Sequence, residues 1–123
     1  MRVSSELRKA ADLRGRHAER RAANALRDEG WEVLAQRVRT PAGELDLIAE
    51  REGLLAFIEV KARASLVDAA FALGKAQRRR LIAAAEAWMA ANPDRGAAGV
   101  RFDVLLVDDA GHVRRIADAF RVE

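Results

Sequence analysis

Two short segments that flank a Glu52-Gly53 turn constrain this chain most, because together they predict a tight β-hairpin. Polar and apolar side chains alternate over residues 44–47 of the first segment and 59–62 of the second, and a period of two is typical of strands. A two-residue loop that contains glycine favours a tight turn, in which Arg51 pairs with Leu54. Each step outward along one strand is then matched by one step along the other. The register depends on this loop length, because an odd-length loop would move the faces.

One face of the predicted hairpin collects charged side chains. Counting outward from the turn places Asp46 opposite Glu59 and Glu44 opposite Lys61. Directly opposed residues have Cβ atoms about 4.5–5.5 Å apart, so two opposed carboxylates repel each other. A raised pKa of one carboxyl group, the nearby Lys61 or a bound cation has to compensate for this repulsion. Ile48 and Phe57 extend this face, and the opposite face is purely apolar: Leu45, Leu47, Ala49, Ala56, Ile58 and Val60.

The opposed carboxylates form a candidate site for a divalent metal ion. Asp46 and Glu59, with the backbone carbonyl of Val60, offer the oxygen ligands that Mg²⁺ or Mn²⁺ prefers. Lys61 would place an ammonium group where it orients a water or stabilises charge on a phosphate. This set suits metal-assisted phosphodiester hydrolysis, whereas acyl transfer lacks an activated Ser–His or Cys–His pair. An ordinary hairpin with one solvated face stays open as the simpler alternative.

A third acid lies on the helix predicted from about Ser4 to Glu29, which Gly30 ends. At 100° per residue, Glu19 falls within the apolar stripe of this helix, near Gly15, Ala22, Ala23 and Leu26. A carboxylate in such a stripe is expensive to bury without a partner. If the helix packs on the sheet face that carries Asp46 and Glu59, Glu19 joins their cluster. The alternative is a boundary glutamate that reaches past the alanines to solvent.

The remaining pattern predicts a mixed sheet with helices packed against it, in the order αβββαββ. We expect one domain over residues 1–123. Residues 66–73 are ambiguous between a loop and a helical turn. The other predicted elements are strands at Trp31–Thr40, Glu44–Arg51 and Leu54–Arg63, a helix at Ala76–Ala91, and strands at Val100–Val107 and His112–Ala117.

Composition narrows the class of protein further. The chain has no cysteine and only two histidines, which excludes a disulfide framework and a thiolate zinc site. No apolar run approaches the roughly 20 residues of a membrane span, and the charged N-terminus lacks a signal-peptide core. We therefore expect a cytoplasmic protein with no membrane partner.

Basic charge is concentrated in arginine, because all but three of the 22 basic residues are arginines, although 19 acids reduce the net charge to +3. Arginine-rich helix segments can hold phosphates through bidentate contacts, and solvated helix faces are the alternative. Aromatic residues make up only 5% of the chain, so we expect recognition of a nucleic-acid backbone or shape rather than base stacking. The candidate nucleic-acid-binding residues are Arg16, Arg20, Arg63, Lys75, Gln77, Arg78 and Arg79.

Five motifs resemble the YraN-type family of predicted bacterial endonucleases: Gly15-x-x-x-Glu19; Gly30-Trp31; Arg39-Thr40-x-x-Gly43-Glu44-Leu45-Asp46-Leu47-Ile48; Phe57-Ile58-Glu59-Val60-Lys61-x-Arg63; and Arg101-Phe102-Asp103-Val104. That family is placed in the PD-(D/E)xK superfamily and is similar to archaeal Holliday junction resolvases. The resemblance implies a restriction-endonuclease-like α/β core and, by analogy, a homodimer. It also implies that Glu19, Asp46, Glu59 and Lys61 are the catalytic or metal-binding set.

One position departs from the family pattern. Many relatives carry a Lys-Gln-Arg-Arg-Leu run at the start of the last long helix, and Gln77 takes the lysine position here, with Lys75 nearby but out of register. The leading expectation is a divalent-metal-dependent endonuclease that acts on DNA, including branched or flapped forms. The alternatives are a non-catalytic nucleic-acid-binding or repair-accessory module with a vestigial site, and a protein–protein adaptor that uses the apolar hairpin face.

Overall fold

The computed structural model describes residues 2–64 and 73–120, and it confirms the predicted mixed α/β class and the order αβββαββ. Residues 66–72 of the ambiguous segment lie outside the described residues. None of the described helices is long and apolar enough to cross a membrane. The elements are α1 (Arg2–Asp28), β1 (Glu32–Thr40), β2 (Gly43–Arg51), β3 (Leu54–Ala62), α2 (Lys75–Ala91), β4 (Gly99–Val107) and β5 (Val113–Phe120).

The strands form one five-stranded sheet in the order β1-β2-β3-β4-β5. All neighbours are antiparallel except β3 and β4, which are parallel and are connected through α2. The pairs run from Arg51 with Leu54 to Leu47 with Ile58, which confirms the predicted register for this part of the hairpin. The predicted pairs of Asp46 with Glu59 and of Glu44 with Lys61 are not in the ladder, because the Asp46 side chain takes the Val60 N–H instead. Glu52 and Gly53 both have positive φ, 52° and 80°, as a primed two-residue turn requires.

The two helices cover opposite faces of the sheet, and each covers its own apolar core. Helix α1 packs through Ala22 and Leu26 on the face of Leu47 and Ile58, whereas α2 packs through Leu81 on the opposite face. Helix α1 therefore lies on the apolar face of the hairpin. For Glu19 to join the acids as predicted, α1 would have had to lie on the opposite face, that of Phe57. The protein–protein adaptor hypothesis requires this apolar hairpin face to be exposed, whereas α1 buries it.

The alternation of side chains between the two sides of the sheet is interrupted at Arg37 in β1, and at the adjoining residues of β2. Ala35 and Val38 pack towards α2 although three positions separate them, and so do Ile48 and Leu45. Arg37 has φ 50°, which interrupts the alternation of a regular strand. The prediction that Leu45 shares a face with Leu47 is wrong for this reason: Leu45 packs in the α2 core and Leu47 in the α1 core.

A cluster of charges around Trp31 ties the end of α1 to the sheet. Asp103 is buried on the α1 side of β4, 2.9 Å from the Arg101 guanidinium, and Arg115 lies 3.8 Å away. Arg51, Arg101 and Arg115 all lie over the Trp31 ring, at 5.4–5.6 Å from its centre. A buried carboxylate needs such partners to offset its lost hydration. Asp103 therefore has a structural role in this network.

Candidate metal and phosphodiester site

Asp46 lies where the pairing of β2 with β3 ends. Its Oδ2 accepts a hydrogen bond from the Val60 N–H at 2.8 Å, in place of a backbone pair beyond Leu47 and Ile58. Burial and the neighbouring charge of Glu59 raise the pKa of Asp46 from 3.8 to about 7. The charge of Glu19 adds to this rise, and the Val60 hydrogen bond opposes it. The charged form of Asp46 is therefore only partly compensated, by the Val60 N–H and by the charge of Lys61.

Glu59 approaches Asp46 from β3 and is itself held by two side chains. The Lys61 Nζ lies 3.0 Å from Glu59 Oε1, and the Gln77 Nε2 donates a hydrogen bond to the same oxygen at 3.2 Å. Only 11% of the Glu59 side chain is exposed, so these contacts are partly shielded from water. The first turn of α2 thus reaches the predicted site through Gln77.

Glu19 lies on α1, and its charge contributes to the raised pKa of Asp46. It lies on the α1 side of the sheet, and its carboxylate is bound by the Arg37 Nε at 2.6 Å. The hydrogen bond and the charge of Glu19 raise the pKa of the Arg37 guanidinium. The structure therefore brings Glu19, Asp46 and Glu59 into one electrostatic neighbourhood, which we call the acid cluster, although Glu19 comes from the opposite face.

The sequence did not identify Arg37 as a site residue. The register of its neighbours, Gln36 with Leu47 and Val38 with Leu45, places Arg37 across from Asp46. A simple alternating pattern contains no signal for this arrangement, because it depends on the positive φ at Arg37. The hint in the sequence was Glu19, a carboxylate in the apolar stripe of a helix, which needs a partner of opposite charge.

The donor set fits a hard cation that keeps much of its own water. Within residues 2–64 and 73–120, no group of three or more acidic or histidine side chains has the spacing to enclose a metal ion. Asp46 and Glu59 are two carboxylates, and the Val60 carbonyl points towards β2 like the N–H of the same residue. Mg²⁺ is commonly held by one or two carboxylates plus water and substrate phosphate, so two carboxylates and a carbonyl are sufficient.

The predicted basic residues lie on both helices and directly after β3. Those on α2 include Lys75 and Arg79, which are exposed, and Arg78, whose Nε donates to the Leu73 carbonyl at 2.9 Å. Arg63 follows β3 and donates to the Ala62 carbonyl at 2.8 Å.

On α1, Arg16 forms an ion pair with Asp12 at 3.1 Å, and Arg20 lines a cavity next to Glu19. The structure therefore places Arg16 and Arg20 beside Glu19, whereas the basic residues of α2 share only the first turns of that helix with Gln77.

The fold and the site together define a mixed α/β domain with an acid cluster and a lysine at the end of its central hairpin. The chain belongs to the uncharacterised protein family UPF0102, whose family model matches residues 18–107. It is 58% identical to a UPF0102 protein of Granulibacter bethesdensis over 109 residues, which cover 89% of this chain and 69% of the relative. It is 49% identical to a UPF0102 protein of Bradyrhizobium sp. (strain ORS 278) over 118 residues, covering 96% and 84%.

Proposed function

We propose that this protein is a divalent-metal-dependent endonuclease that hydrolyses phosphodiester bonds in DNA in the cytoplasm, including branched or flapped DNA. The observation that carries the proposal is the meeting of Asp46, Glu59 and Lys61 at the open end of the hairpin. The Val60 N–H and the charge of Lys61 compensate the charged form of Asp46 only in part, and a bound cation would supply the rest. The homodimer and the single domain over residues 1–123 stay predictions.

Asp46, Glu59 and the Val60 carbonyl would hold Mg²⁺ or Mn²⁺. Such an ion, when bound, supplies Lewis-acid polarisation of a phosphoryl oxygen and lowers the pKa of water. Lys61 lies 3.0 Å from Glu59, so its ammonium group can donate to the attacking water or to a phosphate oxygen in the transition state. Gln77 holds the Glu59 carboxylate from α2 and limits its rotation. Glu19 adds negative charge to the rim while it remains bound to Arg37.

The resemblance to the YraN-type family supports this assignment. Its motif positions correspond to Glu19, Asp46, Glu59 and Lys61, and the physical argument from the hairpin independently selects three of them. The PD-(D/E)xK superfamily and its restriction-endonuclease-like core would also account for a mixed sheet with a helix on each face.

Cleavage of supercoiled, linear and branched DNA in Mn²⁺ tests the proposal. We expect cleavage by the wild-type protein, loss in Lys61→Ala, and wild-type activity in the matched control Lys9→Ala, an exposed lysine near the start of α1. Urea unfolding of all three proteins shows whether a loss is due to misfolding. Absence of Mn²⁺ binding, or equal activity of the wild type and Lys61→Ala, would contradict the proposal.

A second candidate is a DNA-binding or repair-accessory module with a vestigial site. The observation that favours it is Gln77, which occupies the position of a lysine in relatives and bonds to the proposed metal ligand Glu59. This candidate predicts DNA binding that falls steeply with salt, needs no metal and leads to no cleavage.

A further inference from the structure

A cavity of about 300 Å³ opens beside the acid cluster, between α1 and β1. Glu19 lines this cavity, and its charge also acts on Asp46, so the cavity adjoins the proposed metal site. Four other residues complete the lining, and three of them are arginines: Arg16, Arg20, Gln36 and Arg37. The charged lining groups carry three positive charges and one negative charge, and Asp12 beside Arg16 and Arg37 adds a second negative charge. One net positive charge remains, which favours an anionic occupant.

The backbone of β1 is arranged to bring Arg37 to this cavity. Its φ of 50° lies in the left-handed region, which a long side chain rarely adopts. The resulting switch of faces places Arg37 on the α1 side, where it meets Glu19 at 2.6 Å. Strained backbone of this kind persists only where the surroundings hold it, and it is concentrated at functional sites.

The ion pair with Glu19 leaves Arg37 able to bind a second group. A guanidinium has five N–H donors in one plane, and the Glu19 contact uses the one on Nε. The nearest Asp12 oxygen is 3.8 Å from Nη1, too far for a good hydrogen bond. Within residues 2–64 and 73–120, Arg20 forms no ion pair, and the Arg16–Asp12 pair is exposed and weak. The cavity therefore offers guanidinium N–H donors in addition to those that contact Glu19 and Asp12.

We propose that Arg16, Arg20 and Arg37 form a subsite for a backbone phosphate of DNA, next to the phosphodiester that is cut, and that Glu19 orients Arg37 for it. This inference rests on the proposed endonuclease and names how that site holds its substrate. Gln36 adds an amide donor at the same cavity. A tetrahedral phosphate suits the fork geometry of arginine, and backbone contact requires no base sequence.

Fluorescence anisotropy with a fluorescein-labelled DNA duplex in EDTA tests the subsite without metal or cleavage. The main variant is Arg37→Asn, because asparagine adopts positive φ readily and keeps the local backbone. We expect binding about tenfold weaker than wild type, from the loss of a charge-assisted contact. We also expect the slope of log affinity against log salt to fall by about 0.9, the value for one phosphate.

The matched control is Arg114→Asn, an exposed arginine on β5 at the opposite edge of the sheet. It makes the same change of charge, and we expect wild-type affinity and slope. An equal loss in both variants would overturn the subsite, because it would show an effect of net charge only. So would an unchanged slope in Arg37→Asn, or a wild-type protein that does not bind the duplex.

A double variant separates loss of the arginine from release of Glu19. If Arg37→Asn weakens binding only because the freed Glu19 carboxylate repels DNA, then Glu19→Gln with Arg37→Asn restores wild-type binding and overturns the proposal. If Arg37 itself contacts a phosphate, binding by the double variant stays weak. Failure of the endonuclease is a separate result: a wild type that binds through Arg37 and never cuts DNA contradicts the enzyme and supports the phosphate subsite.

Discussion

Replacement of Asp46 by asparagine should make the protein more stable at alkaline pH while it removes the metal site. The amide oxygen can still accept the Val60 hydrogen bond, so the change removes mainly the charge. The pKa of Asp46 rises from 3.8 in an exposed chain to about 7 in the folded protein. Each unit corresponds to about 1.4 kcal/mol, so the charged form costs at most about 4 kcal/mol. Partial solvent exposure reduces this, and we expect a gain of about 2–4 kcal/mol at pH 8.

The sign of the pH dependence follows from linkage. The folded state binds one more proton than the unfolded state between pH 3.8 and about 7, so wild-type stability falls as the pH rises through this window. The advantage of Asp46→Asn should therefore grow from near zero at pH 4 to its full value above pH 7.

Urea unfolding in EDTA, followed by tryptophan fluorescence, measures the difference between the two proteins. Asp94→Asn, an exposed control, should stay within about 0.5 kcal/mol of wild type at every pH. Saturating Mn²⁺ should stabilise the wild type and leave Asp46→Asn unchanged, because only a protein that binds the ion gains stability from it. A variant no more stable than wild type at pH 8, or a gain independent of pH, would refute the reasoning.

Three further predictions concern other parts of the molecule. Asp103→Ala should destabilise the fold by about 3–5 kcal/mol in urea unfolding, since it leaves the Arg101 charge buried without this partner; a loss below about 1 kcal/mol would contradict the network. Glu52→Asn should stabilise the protein by about 0.5–1 kcal/mol in the same assay, because asparagine suits φ 52°, and a loss would count against the primed turn. Gln77→Ala should slow DNA cleavage about threefold to tenfold with little change in stability, and an unchanged rate would remove Gln77 from the site.

The parts of the fold that local pattern determines could be predicted from the sequence. The Glu52-Gly53 turn predicts the hairpin register, and the observed pairs agree from Arg51 with Leu54 as far as Leu47 with Ile58. Beyond that point the predicted pair of Asp46 with Glu59 does not form. Helical periodicity likewise predicts α2 to within one residue of its observed bounds, because its apolar positions repeat with a helical spacing.

The parts that depend on tertiary contacts could not be predicted in this way. The switch of faces at Arg37 requires a strained φ that the Glu19 ion pair helps to hold, and neither residue signals it locally. The same switch moves Leu45 to the α2 core. Glu19 was predicted to join the acids from their own face, whereas it acts on Asp46 from the α1 side.

The most direct test of the central claim is the anomalous diffraction of a crystal soaked in Mn²⁺. We predict a peak in contact with the carboxylates of both Asp46 and Glu59, with the Val60 carbonyl as a further ligand, and no such peak in crystals of Asp46→Asn. A well-ordered wild-type structure at saturating Mn²⁺ with no peak between these carboxylates would contradict the claim that they form a metal site.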